Sequence, residues 1–305
     1  MRQMDGLRGT AAVLVGGSLT EVADGHQSDT RFQIASVSKQ FAATAALLLV
    51  RRGALNPHEP LNSWLPGRDI TLHHLLSHTA GLGHWPDYGD PDELAEMTTA
   101  ERIELVRRAP LRTPPGTEWH YSSLGYLIVA AVVEHTADQP YADFLAEQIC
   151  TPLGLDTITA AKPADPIVGH NGGVPVPPWD TDLMAGTGDI WSTAADLARW
   201  TTALHHGDLL DPAQLVGPYA ALPAQEGWLA PAGYGYGLFT GTMAGRPVVF
   251  HPGDNPGFLA AGVWLPAHDV SIAVLTNDET TDVVHVVRQL ATDHGLSSAE
   301  GPESP

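Results

Sequence analysis

The sequence predicts an α+β fold: one antiparallel sheet closed from both ends of the chain, flanked by helices, with a mainly helical subdomain inserted between its halves. Three observations point there. Strand-like runs stand near the start of the chain and again after residue 235. Amphipathic helices separated by Pro/Gly loops fill the stretch from residue 54 to about 184. A helix that is apolar on nearly every face begins at the seam, near Ser36. Residues 1–53 and 185–296 are therefore assigned to the sheet region, 54–184 to the helical subdomain, and 297–305 (SSAEGPESP) to a disordered tail.

Taken in order, TAAVLVGGSLTEVADG reads as a hairpin turning at Gly16-Gly17-Ser18. The apolar helix runs through QFAATAALLLVRR and stops at Gly53, a suitable left-handed cap, with Arg51 and Arg52 in its last turn. Helices are expected over ITLHHLLSH, PDELAEM, TAERIELVRRA, SLGYLIVAAVVEHT and PYADFLAEQIC. TAADLARWTTALHHG is another, with Thr193 as N-cap. GYGLFTGTM, RPVVFHPG, FLAAGVWL and VSIAVLTN read as strands, followed by a helix over TDVVHVVRQLATDHG.

Composition narrows the function. The 305 residues can bury a large core, and the net charge of -20 argues against nucleic acid or an anionic membrane as partner. The single cysteine, Cys150, forms no internal disulfide and reads as a small buried side chain at a helix end. No apolar h-region opens the chain, and the longest apolar run, FAATAALLLV, is about half a membrane span. A soluble cytoplasmic protein is expected.

The chemistry centres on IASVSKQF. Of 15 basic residues only Lys39 and Lys162 are lysines. Residues three apart on a helix share a face, so Lys39 reaches the hydroxyl of Ser36. A lysine desolvated among apolar side chains loses its proton near neutrality, whereas arginine does not. It can therefore act as the base that a serine nucleophile requires.

SVSK, then HYSSLGY with Tyr121, then HPG at 251 to 253 stand in an order that resembles the serine β-lactamase and penicillin-binding-protein superfamily. The branch is that of class C β-lactamases, DD-peptidases and related esterases. RFQIASVSKQF, LLSHTAGL, PPGTEWHYSSLGYLI, PLGLDT, AGTGDIWSTAADLARW and HPGDNPGF extend the resemblance over residues 10 to 290. It implies the same β-lactamase-like sheet with a helical subdomain. It also implies Ser36 as the acylated nucleophile, Lys39 as its base and Tyr121 as a proton relay. His251 would support Tyr121 or contact substrate, and Gly253 would leave the strand bare for substrate to lie against. The oxyanion hole would be the N–H groups of Ser36 and Asp254. Two departures bear on specificity. Ser123 replaces the asparagine of the Y-x-N motif, and HPG replaces a lysine motif, which weakens binding of a substrate carboxylate.

His73, His74, His78 and His84 crowd one segment, and His74 and His78 are i, i+4, a metal-ligand spacing, but no H-E-x-x-H motif or cysteine accompanies them. No G-x-S-x-G elbow or phosphate loop is present. Tyr234 and Tyr236 are expected at the pocket wall, and Trp85, Trp179, Trp191 and Trp228 either shape an acyl pocket or pack in the core. The expectation is a serine hydrolase of small esters or amides, without cofactor or metal: carboxylesterase first, D-amino-acid amidase or peptidase second, β-lactamase third. An acyltransferase using the same acyl-enzyme and a non-catalytic binding protein are the alternatives.

Overall fold

The computed structural model describes residues 4, 6–90, 93, 94, 96–217, 219–223, 225, 227 and 229–295. Strands β1 (Gly9–Val15) and β2 (Ser18–Asp24) form the expected hairpin. Gly16 and Gly17 at its tip both have positive φ, 52° and 82°, the tight mirror-image turn whose twist suits a hairpin. Two short pairs lie outside the main sheet: β3 (Phe32–Gln33) with β6 (Trp191–Ser192), and β4 (His170–Asn171) with β5 (Val174–Pro175). The remaining strands are β7 (Ala220–Ala221), β8 (Leu229–Tyr234), β9 (Phe239–Met243), β10 (Arg246–Asn255), β11 (Phe258–Leu265) and β12 (Val270–Thr276).

The main sheet is antiparallel, in the order β2-β1-β12-β11-β10-β9-β8-β7. Its closing pair is β1 with β12, Gly9 opposite Thr276 and Val15 opposite Val270, so the sheet is joined from both ends of the chain as expected. Alternation along the strands sends Ala12, Ala273 and Leu275 to one face and Ala11, Val13, Ile272 and Val274 to the other. Helices α1 (Ser38–Arg51) and α6 (Ala194–His206) belong to the core on the first face. Helix α7 (Val283–Asp293) covers the second with Val286, Val287 and Leu290.

Helix α1 is buried along almost its whole length. It ends as the sequence indicates: Gly53 has φ 73°, its N–H bonds Val50 O and that of Ala54 bonds Leu49 O, which satisfies the last carbonyls. The inserted region supplies α2 (Leu72–Leu76), α3 (Thr99–Arg108), α4 (Ser123–Ala137) and α5 (Tyr141–Leu145), the last continuing through a π-helical turn, Ala146–Cys150. Helix α4 packs against α1. Thr71, Thr98, Ser122 and Thr193 each cap a helix through a side-chain oxygen.

The structure departs from the sequence reading in three places. GYGLFTGTM is not one strand: Gly235–Leu238 forms a turn, Gly237 has φ 75°, and only Phe239–Met243 is extended. Strand β8, just before it, went unread because Pro231 and Gly233 mask its pattern. ITLHHLLSH is helical only to Leu76, and His78 has φ 58°, so the i, i+4 relation between His74 and His78 is not a helical one. Within the inserted region, His170 lies beside the segment that follows β12: its N–H bonds Asn277 O at 2.8 Å and its carbonyl accepts Glu279 N–H at 2.9 Å. The expectations over part of PDELAEM, at Trp228 and over the tail lie outside the described residues.

One side chain ties these parts together beneath the seam. Asn255, buried at the end of β10, donates to Gln33 Oε1 at 2.7 Å and to Gly188 O at 3.0 Å. Gly188 has no room for a side chain, since a Cβ there would lie 2.8 Å from Asn255 Oδ1. Replacing Asn255 with alanine strands two buried acceptors, and denaturant unfolding should show a loss of about 2–4 kcal/mol.

Candidate active site

Ser36 stands in a 3-10 turn, Ala35–Val37, immediately before α1. The turn is held from below by Ile34 N–H bonding Ile190 O at 2.9 Å. Ala35 has φ 48°, a left-handed conformation that costs a non-glycine residue of order 1 kcal/mol or more and needs surrounding structure to hold it. That support is β10. A Cβ on Gly253 would lie 2.3 Å from Ile34 O and 3.1 Å from Ala35 Cβ. Glycine is therefore needed at 253 for the Ser36 turn to sit against the strand. This replaces the expected reason, bare backbone for substrate: the missing side chain faces the turn, not the cavity.

Lys39 is fully buried one turn into the helix. Its Nζ lies 3.0 Å from Ser36 Oγ and donates to Thr187 O at 2.9 Å. The ring centroids of Tyr121 and Tyr126 lie 5.0 and 5.8 Å from the same nitrogen. Burial pulls its pKa down to about 7, against a smaller upward pull from Asp189.

Asp189 is itself buried. Its Oδ1 accepts Gly186 N–H at 3.0 Å and its Oδ2 finds no hydrogen-bond partner. Burial raises its pKa to about 7, with Gly186 and Lys39 working the other way. The sequence reading missed it; the available signal was a lone carboxylate in the small and apolar run AGTGDIW.

Tyr121 immediately precedes α4, whose N-cap, Ser122, accepts Gly125 N–H at 3.2 Å and donates to Gly83 O at 2.7 Å. Burial raises the Tyr121 phenol well above its usual range, and an interaction with Ser36 offsets only part of this. The phenol is thus a neutral donor at physiological pH.

His251 on β10 is buried, with both ring nitrogens occupied. Nδ1 donates to Pro252 O at 2.6 Å, so Nε2 is the acceptor, and it faces Tyr234 Oη at 3.1 Å. Tyr234 Oη also faces His78 Nε2 at 3.2 Å, while His78 Nδ1 accepts Ser122 N–H at 3.1 Å. One proton arrangement satisfies the whole chain: Ser122 N–H to His78, His78 to Tyr234, Tyr234 to His251, His251 to Pro252 O. Burial lowers both imidazoles, His251 to about 3 and His78 well below the ordinary value. His251 was expected to support Tyr121 or contact substrate; its ring lies beside that of Tyr121, centroids 6.1 Å apart, and stands on the cavity wall, while both of its nitrogens are held by Pro252 and Tyr234.

Tyr234 is therefore buried behind the site rather than on the pocket wall. Tyr236 is elsewhere, bonded to His73 Nδ1 at 2.7 Å and stacked on Tyr219. His74 Nδ1 accepts Thr71 N–H. Among the described residues no group of three or more His, Cys, Asp or Glu side chains is arranged to hold a metal ion. Cys150 is buried and its thiol pushed up to about 12, chiefly by burial.

A cavity of about 590 Å³ opens at Ser36, with Tyr121, Ser123, His251 and Asp254 on its walls. Trp85, Trp119, Trp179, Met184 and Phe239 make it apolar. Of the tryptophans considered from sequence, Trp85 and Trp179 line the cavity and Trp191 is core; Trp119 was missed. Asp254 and Glu279 are its acidic members, and no Arg or Lys lines it among the described residues.

An S-x-x-K serine under an antiparallel sheet, faced by a tyrosine and a glycine-bearing strand, defines a class of acyl-transferring serine enzymes. The Beta-lactamase family model matches residues 2–295, and the chain belongs to that family; it is a serine hydrolase by class. The chain is 30% identical to Penicillin-binding protein 4 of Amycolatopsis lactamdurans over 305 residues, which is 87% of this chain and 79% of the relative. It is 34% identical to Esterase EstB of Burkholderia gladioli over 174 residues, 50% of this chain and 44% of the esterase. A penicillin-binding protein from Bacillus halodurans superposes with a TM-score of 0.79 at 24% identity, covering 93% of this chain and 97% of that one. No helix among the described residues is long and apolar enough to cross a membrane.

Ionised Asp189 favours the ammonium form of Lys39, so Asp189→Asn removes an upward pull and lowers the lysine pKa. The acidic limb of kcat/KM, expected near pH 7 in the wild type, should move to lower pH by roughly half to one unit in the variant. A pH–rate profile with an activated ester measures it.

Proposed function

We propose that this protein hydrolyses small esters, and more slowly amides, that carry no carboxylate, through an acyl-enzyme on Ser36. The observation that carries the reading is the fully buried Lys39 amine, 3.0 Å from Ser36 Oγ and with its pKa brought to about 7. Neutral Lys39 takes the Ser36 proton as Oγ attacks the acyl carbon. The negative charge on the carbonyl oxygen is met by the N–H groups of Ser36 and Asp254. The Tyr121 phenol protonates the leaving group and is recharged from Lys39. In deacylation the same pair runs in reverse on a water molecule.

His251 and Gly253 act here by placement. The first, through Tyr234 and His78, ties the strand to the segment carrying Tyr121; the second lets the nucleophile turn seat. Ser123, short of an asparagine's reach, leaves room on the acyl side.

The cavity supports the order of substrates. Its aromatic walls suit an apolar or aromatic acyl or alkoxy group. Its acidic members Asp254 and Glu279, without a lining arginine or lysine, disfavour the carboxylate shared by β-lactams and peptide C-termini. Carboxylesterase activity ranks first, D-amino-acid amides second and β-lactams third. The name of the relative EstB accords with this order.

Intact-mass analysis after fluorophosphonate treatment should show one adduct on the wild type and none on Ser36→Ala. Lys39→Arg should fold and lose at least about 100-fold in labelling rate; a folded variant that labels at the wild-type rate removes Lys39 as base. Tyr121→Phe should cost far more on an ethyl ester, whose leaving group needs a proton, than on a p-nitrophenyl ester, whose leaving group does not. Equal losses on the two esters would mean that another group supplies that proton.

A further inference from the structure

His84 stands on the cavity wall, and the acylation scheme does not use it. Its backbone is fixed. It precedes the 3-10 turn Trp85–Asp87, and the Asp87 carboxylate accepts its N–H at 2.8 Å while also binding Arg112 at 2.6 Å. Gly83 before it is closed in as well, since a Cβ there would lie 2.7 Å from Asp87 Cβ. The imidazole meets the Tyr121 ring edge-on, centroids 5.4 Å apart. Its Nδ1 accepts the backbone N–H of Ser123 at 3.4 Å. An N–H directed at Nδ1 puts the proton of the neutral ring on Nε2. Among the described residues no acceptor takes that Nε2–H.

We infer that His84 is a specificity-determining residue whose Nε2–H binds a neutral hydrogen-bond acceptor, such as a ketone or amide carbonyl, in the acyl chain of the substrate. The inference rests on the acyl-enzyme reading for Ser36. The position suits the role. Ser123, whose N–H orients the ring, has too short a side chain to reach far over the acyl chain itself. Burial, with Lys39 second, lowers the imidazole to about 4, so the ring donates without adding positive charge at neutral pH. It therefore offers a neutral acceptor a partner and a carboxylate no counter-ion.

The test compares two p-nitrophenyl esters of equal chain length, pentanoate and 4-oxopentanoate, on the wild type, His84→Phe, His84→Ala and His84→Gln. The leaving group is shared, so only the acyl chain distinguishes them. Wild type should prefer the 4-oxo ester. Both removals should lower kcat/KM for the 4-oxo ester about tenfold more than for pentanoate. His84→Gln, which keeps an N–H on that wall, should restore part of the preference. Fluorophosphonate labelling of Ser36 in each variant reports a folded site. Equal losses on both esters in labelled variants overturn the inference while leaving the acyl-enzyme reading intact. A wild type that neither labels nor turns over either ester overturns both.

Discussion

The removal of Lys39 from water is the constraint on which the rest of the site depends. An ammonium in bulk water holds its proton some three pH units too firmly to serve as a base at neutrality. Lowering that affinity requires apolar surroundings on every side, and the fold provides them. The α1 helix is buried along nearly all its faces, α4 lies across it, and the 186–189 segment closes over the amine with the Thr187 carbonyl. Sheet and helical region meet at this point, so the base depends on both halves being folded and docked. Glycines make the closure possible. Gly237 lets the turn before β9 approach the Lys39 carbonyl, where a Cβ would be 2.7 Å away, and Gly186 fits between Ala42 and Ala130.

A neutral amine beside a hydroxyl is still not a catalyst unless the reacting atoms are placed. Here placement comes from backbone geometry held under load. Ala35 is kept in a left-handed conformation, and Gly253 and Asn255 on β10 supply the close contact and the hydrogen bonds that hold the turn there. The same strand that supports the Ser36 turn offers Asp254 to the cavity, so in the proposed mechanism the nucleophile and an oxyanion donor are placed by one element. This coupling explains why an apolar cavity suffices for the remainder of the site: orientation is determined from behind, and the walls select by shape and charge.

The sequence exposed the parts of this arrangement that are local or rest on contrast. The hairpin at Gly16-Gly17, the Gly53 cap and the apolar α1 are readable because propensity, periodicity and turn chemistry agree there. Lys39 was visible because arginine is used almost everywhere else. Closure of β1 on β12 followed from strand character at both ends. What stayed hidden depends on contacts between distant segments. Asp189, Tyr234 and Asn255 take their meaning from partners 150, 156 and 222 positions away, and no local pattern marks them. Gly253 was read as substrate-facing because a glycine next to a motif carries no sign of which side its missing Cβ faces. The β8–β9 turn was lost because glycine and proline blur the period that identifies a strand.

The buried chain from Ser122 to Pro252 has a further consequence. Both of its ends are main-chain groups: an amide that can only give a proton into a hydrogen bond, and a carbonyl that can only receive one. Those ends fix the tautomers of the neutral His78 and His251, so the chain through Tyr234 to His251 has one polarity. A path that shuttles protons must be able to reverse after each passage, and this one cannot without leaving the buried Ser122 amide unpaired. The His78–Tyr234–His251 chain is thus a row of dipoles with one sense, suited to holding the strand and not to relaying protons. In the proposed mechanism protons pass on the cavity side, among Ser36, Lys39 and Tyr121.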